Sequence, residues 1–493
     1  MPEPRTWQLV AGSAVLGLAL ATTAVAAAGP WDTGQRKAER ARAVTLATTG
    51  GAHHAGAPGD PAPRRPAPAP SAAGVLRALD PAAATGTLTR PGDDLAATLV
   101  PLLADPALGP LRTASVVDTT TGRQLYGEGA ATPMTPASTI KIATTAAALS
   151  ALGPDHRIAT TTTATPDGRT VTLVGGGDPT LDHTRLRHLA DATARALKTR
   201  GTPSVRLTYD TSLYQGPVLH PIGPNENLAP VTALMTNAGR RIGGTSQAEG
   251  SGGDSHTGTA PRSTDPARDT ATAFADLLHR AGITVQGTPT PGKSPQGDKA
   301  APLARTHSAP LADLVEHTLT HSDNDLAEAL ARQTALAHRQ PASFTGAAKA
   351  VHDELARLGL PLAGARFADG SGLDRRDRIS AGLLTGILTR AADPTRPTLR
   401  PVLTGLPVGG FSGTLADRYD DPATTPGAGT VRAKTGTLKG VDTLAGTVVT
   451  ADGRLLAFAF LAGDTASPFT ARPALDRLSA ALAPPHRPGP TPP

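Results

Sequence analysis

The chain has 493 residues, room for two or three domains, with a formal net charge of +6 and no cysteine. Without cysteine there are no disulfides, thiolate zinc sites or cysteine nucleophile, and the 14 histidines show no metal spacing such as His-Glu-x-x-His, so no cofactor or metal is expected. Aromatic residues make up 3% and do not interleave with lysine/arginine stripes, which argues against nucleic acid as a partner.

Residues 8–29 carry no charge and are mostly Leu, Val, Ala and Gly, behind a short start containing Arg5. The stretch is long enough to span a membrane. It also has the composition of a secretory signal, with small-residue cleavage sites at Ala24-Val25-Ala26 and Ala26-Ala27-Ala28. Residues 1–30 are therefore expected to be a signal peptide or a membrane anchor. Arg36, Lys37, Arg40 and Arg42 follow the span, and the positive-inside tendency alone would keep the body in the cytoplasm. Residues 31–92 are rich in Ala, Gly, Pro and Thr and are expected to form a disordered linker, semi-rigid around the alternating prolines of 61–70.

Folded structure is expected from residue 93, with a helix over 94–103, a strand over 114–118 and its hairpin partner over 123–126. Pro136-Ala137-Ser138-Thr139-Ile140-Lys141 then opens an apolar helix that stops at Gly153-Pro154. Ser138 and Lys141 stand three residues apart, so they share a helix face. A serine hydroxyl needs a neighbour to take its proton, and a lysine amine of lowered pKa does that. Helix N-terminal N–H groups suit a developing oxyanion. A lone Ser-x-x-Lys is weak evidence, but of the chain's lysines only Lys141 has a serine three residues before it.

The interval up to residue 322 is too long for a connection, and one or two inserted domains are expected there. Within it, 169–174 and 205–209 read as strands, 183–200 and 265–281 as helices, and 243–263 as a disordered Gly/Ser/Thr-rich loop. Ser322-Asp323-Asn324 fills the break between helical runs 311–319 and 326–337, where a short loop aims side chains into a cleft. Asp369-Gly370-Ser371-Gly372-Leu373 reads as a structural turn ahead of a helix from Ser380. Lys434-Thr435-Gly436-Thr437 lies on an edge strand of an antiparallel sheet with 441–449 and 455–461. Lys434 there supplies positive charge, Thr435 a hydroxyl for a carboxylate, and Gly436 clear space for a ligand along the strand. A helix closes the domain within 464–482, and 484–493 is a proline-rich tail.

Ser138-Thr139-Ile140-Lys141, Ser322-Asp323-Asn324 and Lys434-Thr435-Gly436, in that order, resemble the motif set of penicillin-binding proteins and class A β-lactamases. The long first interval is similar to that of the D-alanyl-D-alanine carboxypeptidase/endopeptidase family, peptidase family S13, the class C low-molecular-mass penicillin-binding proteins. Residues 171–179, 369–373 and 413–415 also look like that family's segments, and the resemblance covers 94–482.

The resemblance implies an α/β (α+β) fold: a serine β-lactamase/DD-peptidase-like domain, with an antiparallel sheet flanked by helices. That domain comprises 93–154 and 308–483, with inserted domains over 155–307. It implies a serine-type D-Ala-D-Ala carboxypeptidase of peptidoglycan stem peptides, with endopeptidase action on crosslinks as a second activity. Ser138 is then the nucleophile, Lys141 its general base, and Ser322 a proton shuttle to the leaving D-alanine. Asn324 orients the substrate amide; Lys434, Thr435, Gly436 and Thr437 form the strand that binds the terminal carboxylate. The N–H groups of Ser138 and Thr437 make the oxyanion hole. The implied partners are the stem peptide, β-lactams as inhibitors, and a membrane if 8–29 is uncleaved. The implied location is extracytoplasmic, secreted or anchored at the envelope. A β-lactamase is the first alternative, opposed by the insert and by the lack of a Glu-x-x-Asn signal. A non-catalytic envelope protein of the same fold is the second, opposed by the intact motifs.

Overall fold

The computed structural model describes residues 91–241, 260–295 and 301–483. The expected signal or anchor, most of the expected linker, most of the 243–263 loop and the tail lie outside the described residues. Among the described residues no helix is long and apolar enough to cross a membrane.

The chain enters through helix α1 (Pro91–Leu103), starting two residues inside the expected linker, and continues into β1 (Leu111–Asp118), β2 (Gln124–Glu128) and the short β3 (Pro133–Met134). Helix α2 (Lys141–Leu152) follows, and its residues from Lys141 to Leu149 are all buried. A helix apolar or small on every side belongs in the middle of a domain rather than on its surface.

The next segment builds a sheet of its own: β4 (Ala159–Ala164), β5 (Thr170–Val174), helix α3 (His183–Thr199), β6 (Ser204–Asp210), helix α4 (Pro266–Arg280), β7 (Thr284–Val285), β8 (Thr290–Pro291) and β9 (Ala301–His307). The strand order is β7-β6-β5-β4-β9, with β8 also paired to β6. β5, β6, β7 and β8 run parallel through crossover helices, and β4 pairs antiparallel to β5 and β9. Leu186, Leu189 and Leu197 of α3 and Phe274 and Leu278 of α4 cover Val171, Leu173, Val205 and Leu207, giving this unit a separate core.

The chain then returns through α5 (Leu311–His321), α6 (Asn324–Ala337), α7 (Phe344–Arg357), β10 (Ile379–Ser380), α8 (Ala381–Ala392), α9 (Pro401–Thr404), β11 (Val431–Leu438), β12 (Val441–Val449), β13 (Leu455–Gly463) and α10 (Pro468–Ala480). The main sheet is antiparallel in the order β11-β12-β13-β1-β2, so the early hairpin joins the late one edge to edge. Both faces of the central strand β13 are covered, so it is apolar throughout rather than alternating. Phe458 and Phe460 of β13 face α1 and α10, while Ala457, Ala459 and Leu461 face α2 and the helices around it. The period-2 geometry of one strand thus feeds two cores. Chain 344–357, not anticipated as a helix, is α7, capped by the Ser343 hydroxyl accepting from the Gly346 N–H.

Candidate active site

Ser138 sits in a single 3-10 turn, Ala137–Ile140, that runs directly into α2 at Lys141. The expected helix thus begins one turn later, and the tighter turn sets the serine. Ala137 before it is left-handed, with φ of 48°, a conformation that costs a residue bearing a Cβ. The turn is held from two sides. The Thr139 and Thr443 hydroxyls both donate to the Pro136 carbonyl, at 2.7 and 2.8 Å. On the other side Gly372 packs so closely that a Cβ there would lie 2.0 Å from the Ala137 carbonyl oxygen.

Lys141 is fully buried. Its Nζ lies 2.9 Å from Ser138 Oγ, 2.7 Å from Asn324 Oδ1 and 2.6 Å from the Ser371 carbonyl. Burial pushes its pKa down to about 8, against the pull of Asp369 first and then Asp323. A neutral amine has two N–H donors and one lone pair. Asn324 Oδ1 and the Ser371 carbonyl only accept, so they take both donors. The lone pair is left facing the Ser138 hydroxyl, the arrangement a general base needs.

Asn324 is the first residue of α6, behind the Asp323 N-cap, and Ser322 is the left-handed C-cap of α5, with φ of 59°. Asn324 Nδ2 donates to the Asn227 carbonyl at 3.1 Å, which fixes the orientation of its carboxamide. Lys434 on β11 is buried and donates to the Thr435 carbonyl at 2.8 Å. Burial, and then the nearby Lys141, hold its pKa well below the ordinary lysine range. Thr435 Oγ1 donates to Thr414 Oγ1 at 2.9 Å.

Ser138, Ser322, Asn324, Thr435 and Thr437 line one cavity of about 410 Å³, with Lys141 and Lys434 buried behind its wall. Among the described residues no hydrogen bond joins Ser322 Oγ to either lysine; the place beside Lys141 Nζ is taken by Asn324. Gly436 does not face the cavity. A Cβ there would lie 2.2 Å from Thr443 Oγ1, 2.7 Å from the Pro136 carbonyl oxygen and 3.0 Å from the Ser138 nitrogen. The glycine clears space for the Ser138 turn, which is a different reason from the one read in the sequence.

The 369–373 turn, read as structural, supplies the Ser371 carbonyl. Its amides converge on two buried carboxylates. Asp369 Oδ1 accepts from the Ser371 and Gly372 N–H groups, and Glu328 Oε1 from those of Gly370 and Ser371. Asp369 Oδ2 accepts from Ser371 Oγ, the Asp374 N–H and His220 Nε2. Burial raises the Asp369 pKa, but the His220 and Gly372 hydrogen bonds outweigh it and keep it ionised. Burial and that Asp369 charge push Asp377 far up, so Asp377 holds the proton of the pair. His220, Glu328 and Asp369 lie close enough to suggest a metal trio. Their lone pairs are already filled by hydrogen bonds, and the Arg332 guanidinium sits 3.1 Å from Glu328 Oε2, so the group is a hydrogen-bonded network.

The 155–307 segment, which builds its own sheet, therefore reaches the site. Asn227 and Arg240 line the cavity, together with Arg418 and Arg472 of the main domain. Arg262 forms a buried ion pair with Asp325, at 3.0 Å, next to Asn324. None of these residues carries a motif. Thr414, in the 413–415 stretch already singled out, is the one that the sequence did flag.

The sequence profile of the D-Ala-D-Ala carboxypeptidase 3 (S13) family matches residues 95–261 and 254–482. Carboxypeptidase DacB of Mycolicibacterium smegmatis is 37% identical over 439 residues, covering 85% of this chain and 89% of that protein. The D-alanyl-D-alanine carboxypeptidase of an Actinomadura species is 30% identical over 433 residues, covering 72% of this chain and 78% of that protein. In fold the chain is similar to the crystal structure of penicillin-binding protein 4 from Haemophilus influenzae, with a TM-score of 0.63 at 23% identity, covering 80% of this chain and 98% of that one. The same protein has been solved in complex with a β-lactam, a structure that matches with a TM-score of 0.62.

Proposed function

This chain belongs to the D-Ala-D-Ala carboxypeptidase 3 (S13) family, and from that membership we propose how its residues carry out the serine-type D-Ala-D-Ala carboxypeptidase reaction. The observation that carries the assignment is the triple contact of Lys141 Nζ with Ser138 Oγ, Asn324 Oδ1 and the Ser371 carbonyl.

Ser138 Oγ attacks the carbonyl of the penultimate D-alanine as its proton passes to Lys141. The oxyanion is met by the N–H groups of Ser138 and Thr437. Collapse breaks the C–N bond, and the leaving D-alanine amine takes the proton by way of Ser322. Water then attacks the ester, Lys141 again accepts a proton, and the shortened peptide leaves with Ser138 restored. Thr435, Thr437 and Lys434 hold the terminal carboxylate, and the second amide proton and free lone pair of Asn324 orient the peptide. A β-lactam presents the same carbonyl and leaves an ester on Ser138, in keeping with the complex of the Haemophilus relative.

The 93–154 and 308–483 parts are the catalytic domain and 155–307 the insert. The substrate class places the enzyme outside the cytoplasm at the envelope, with residues 8–29 as export signal or anchor.

The test is D-alanine release from a diacylated Lys-D-Ala-D-Ala peptide beside cleavage of a crosslinked dimer, with fluorescent penicillin as covalent probe. D-alanine release and a penicillin label that disappears in a folded Ser138→Ala variant are expected. Unchanged labelling in that variant removes Ser138 from the role, and dimer cleavage at a comparable rate adds endopeptidase action.

A further inference from the structure

We propose that His220, contributed by the inserted segment, is a positioning residue for the general base: it anchors the turn whose Ser371 carbonyl aims the Lys141 amine at Ser138. The inference rests on the reading of Lys141 as the base.

His220 is buried, and its Nε2 lies 2.9 Å from Asp369 Oδ2. The Ile222 N–H donates to its Nδ1 at 3.3 Å. That bond requires a lone pair on Nδ1, so the ring is the tautomer with its proton on Nε2, and it donates to Asp369. Asp369 in turn gathers the Ser371 and Gly372 amides, the Ser371 hydroxyl and the Asp374 amide. These bonds fix the direction of the Ser371 carbonyl, which takes one of the two N–H donors of neutral Lys141. If the turn shifts, that donor loses its acceptor and the lone pair turns away from Ser138 Oγ.

A packing role alone does not account for the ring. The neighbours of His220 include the Phe344 ring, edge-on at 5.2 Å between centroids. A leucine would fill such a space, with no need of a donor on one side and an acceptor on the other. The charged and titratable groups facing the network are Asp369, Asp377, Glu328 and Arg332, with Lys141 across the turn. Of these, Asp369 is the one His220 touches through a polar atom. Remote groups of this kind act through geometry: a misplaced base loses rate while substrate binding persists.

The full chain is compared with His220→Ala, His220→Gln and His220→Asn, using the acylation rate constant and the pre-acylation binding constant for fluorescent penicillin. A glutamine amide reaches to where Nε2 stands, while an asparagine amide stops near Nδ1. His220→Ala is expected to acylate about tenfold or more slowly with its binding constant unchanged, the size expected for losing a hydrogen bond to a charged group. His220→Gln should recover to within about threefold of the parent and His220→Asn should not. If His220→Ala does not fold, the glutamine–asparagine difference is the readout.

Parental acylation in the alanine variant overturns the proposal. So do equal rates for glutamine and asparagine, or a loss confined to binding. Lys141→Ala is run beside them: parental acylation in that variant removes the base assignment itself. A slow Lys141→Ala beside an unaffected His220→Ala overturns only the role of His220.

Discussion

Lys141 shows how a residue type becomes a function. A lysine on a surface is protonated and cannot act as a base at neutral pH. Full burial lowers the Lys141 pKa to about 8, and two pure acceptors leave its lone pair one direction to point. With Lys141 as the proposed base, the neutral form is the active one, so acylation should rise with pH and level off above about 8. Below that value the rate should fall about tenfold per pH unit. Stopped-flow penicillin acylation from pH 5.5 to 9.5 measures the limb, and a flat profile would remove the base role. Arg472 makes a second case at this scale. It lines the cavity and its Nη2 stands 3.4 Å from Thr437 Oγ1, on the side proposed for the substrate carboxylate. Arg472→Ala should raise KM for the free-carboxylate peptide roughly tenfold with little change for the same peptide amidated at its C-terminus; equal effects on both peptides would refute it.

At the scale of elements, the site is a junction between one helix and one edge strand. Helix α2 is buried on every side, so its N-terminal end is fixed by the core it fills. Strand β11 approaches that end because residue 436 has no side chain. The Gly436→Ala methyl would meet Thr443 Oγ1 and the Pro136 carbonyl well inside van der Waals contact. The strand must then retreat from the nucleophile turn. Overpacking of this kind costs about 1–3 kcal/mol, and the retreat also separates Thr437 from Ser138. Chemical denaturation should show a loss in that range, and acylation should slow by more than the change in folded fraction explains. An alanine variant of parental stability and rate would show that the close approach is not needed.

At the scale of the molecule, the 155–307 segment braces the Ser322–Asn324 motif and the 369–374 turn. His220 holds the 369–374 turn, while Arg262 and the Ala229 N–H hold Asp325 beside Asn324. Burial, then the Asp323 charge, push Asp325 up to about 7 in spite of Arg262. Arg262→Ala removes the balancing charge from a buried carboxylate, a change that costs about 3–5 kcal/mol. The low end is expected, because Asp325 escapes the penalty by taking a proton. In the variant the Asp325 pKa rises further, and the charged form is penalised only above it. The deficit relative to the parent should therefore be largest at pH 8 and above and shrink as pH falls through about 7. Urea denaturation of both proteins at pH 5.5 and 8.5 measures it; equal deficits at the two values would contradict the argument.

Much of this was legible in the sequence. Ser138, Lys141, Ser322, Asn324, Lys434 and Thr435 belong to motifs whose chemistry depends on side-chain type and local spacing, and both are written in the chain. The antiparallel sheet follows from apolar runs and turns, and the interval before Ser322, too long to be a loop, builds a second sheet. The Ser371 carbonyl was not legible, because every residue has a carbonyl and its direction comes from amides gathered by Asp369 and Glu328. Nor was His220, whose partner lies 149 positions away and shares no pattern with it. Gly436 was flagged for open space along the strand, and the fold uses that space for the nucleophile turn. Local spacing determines which groups are available. Packing between distant segments determines where each lone pair and each N–H points, and a general base depends on that direction.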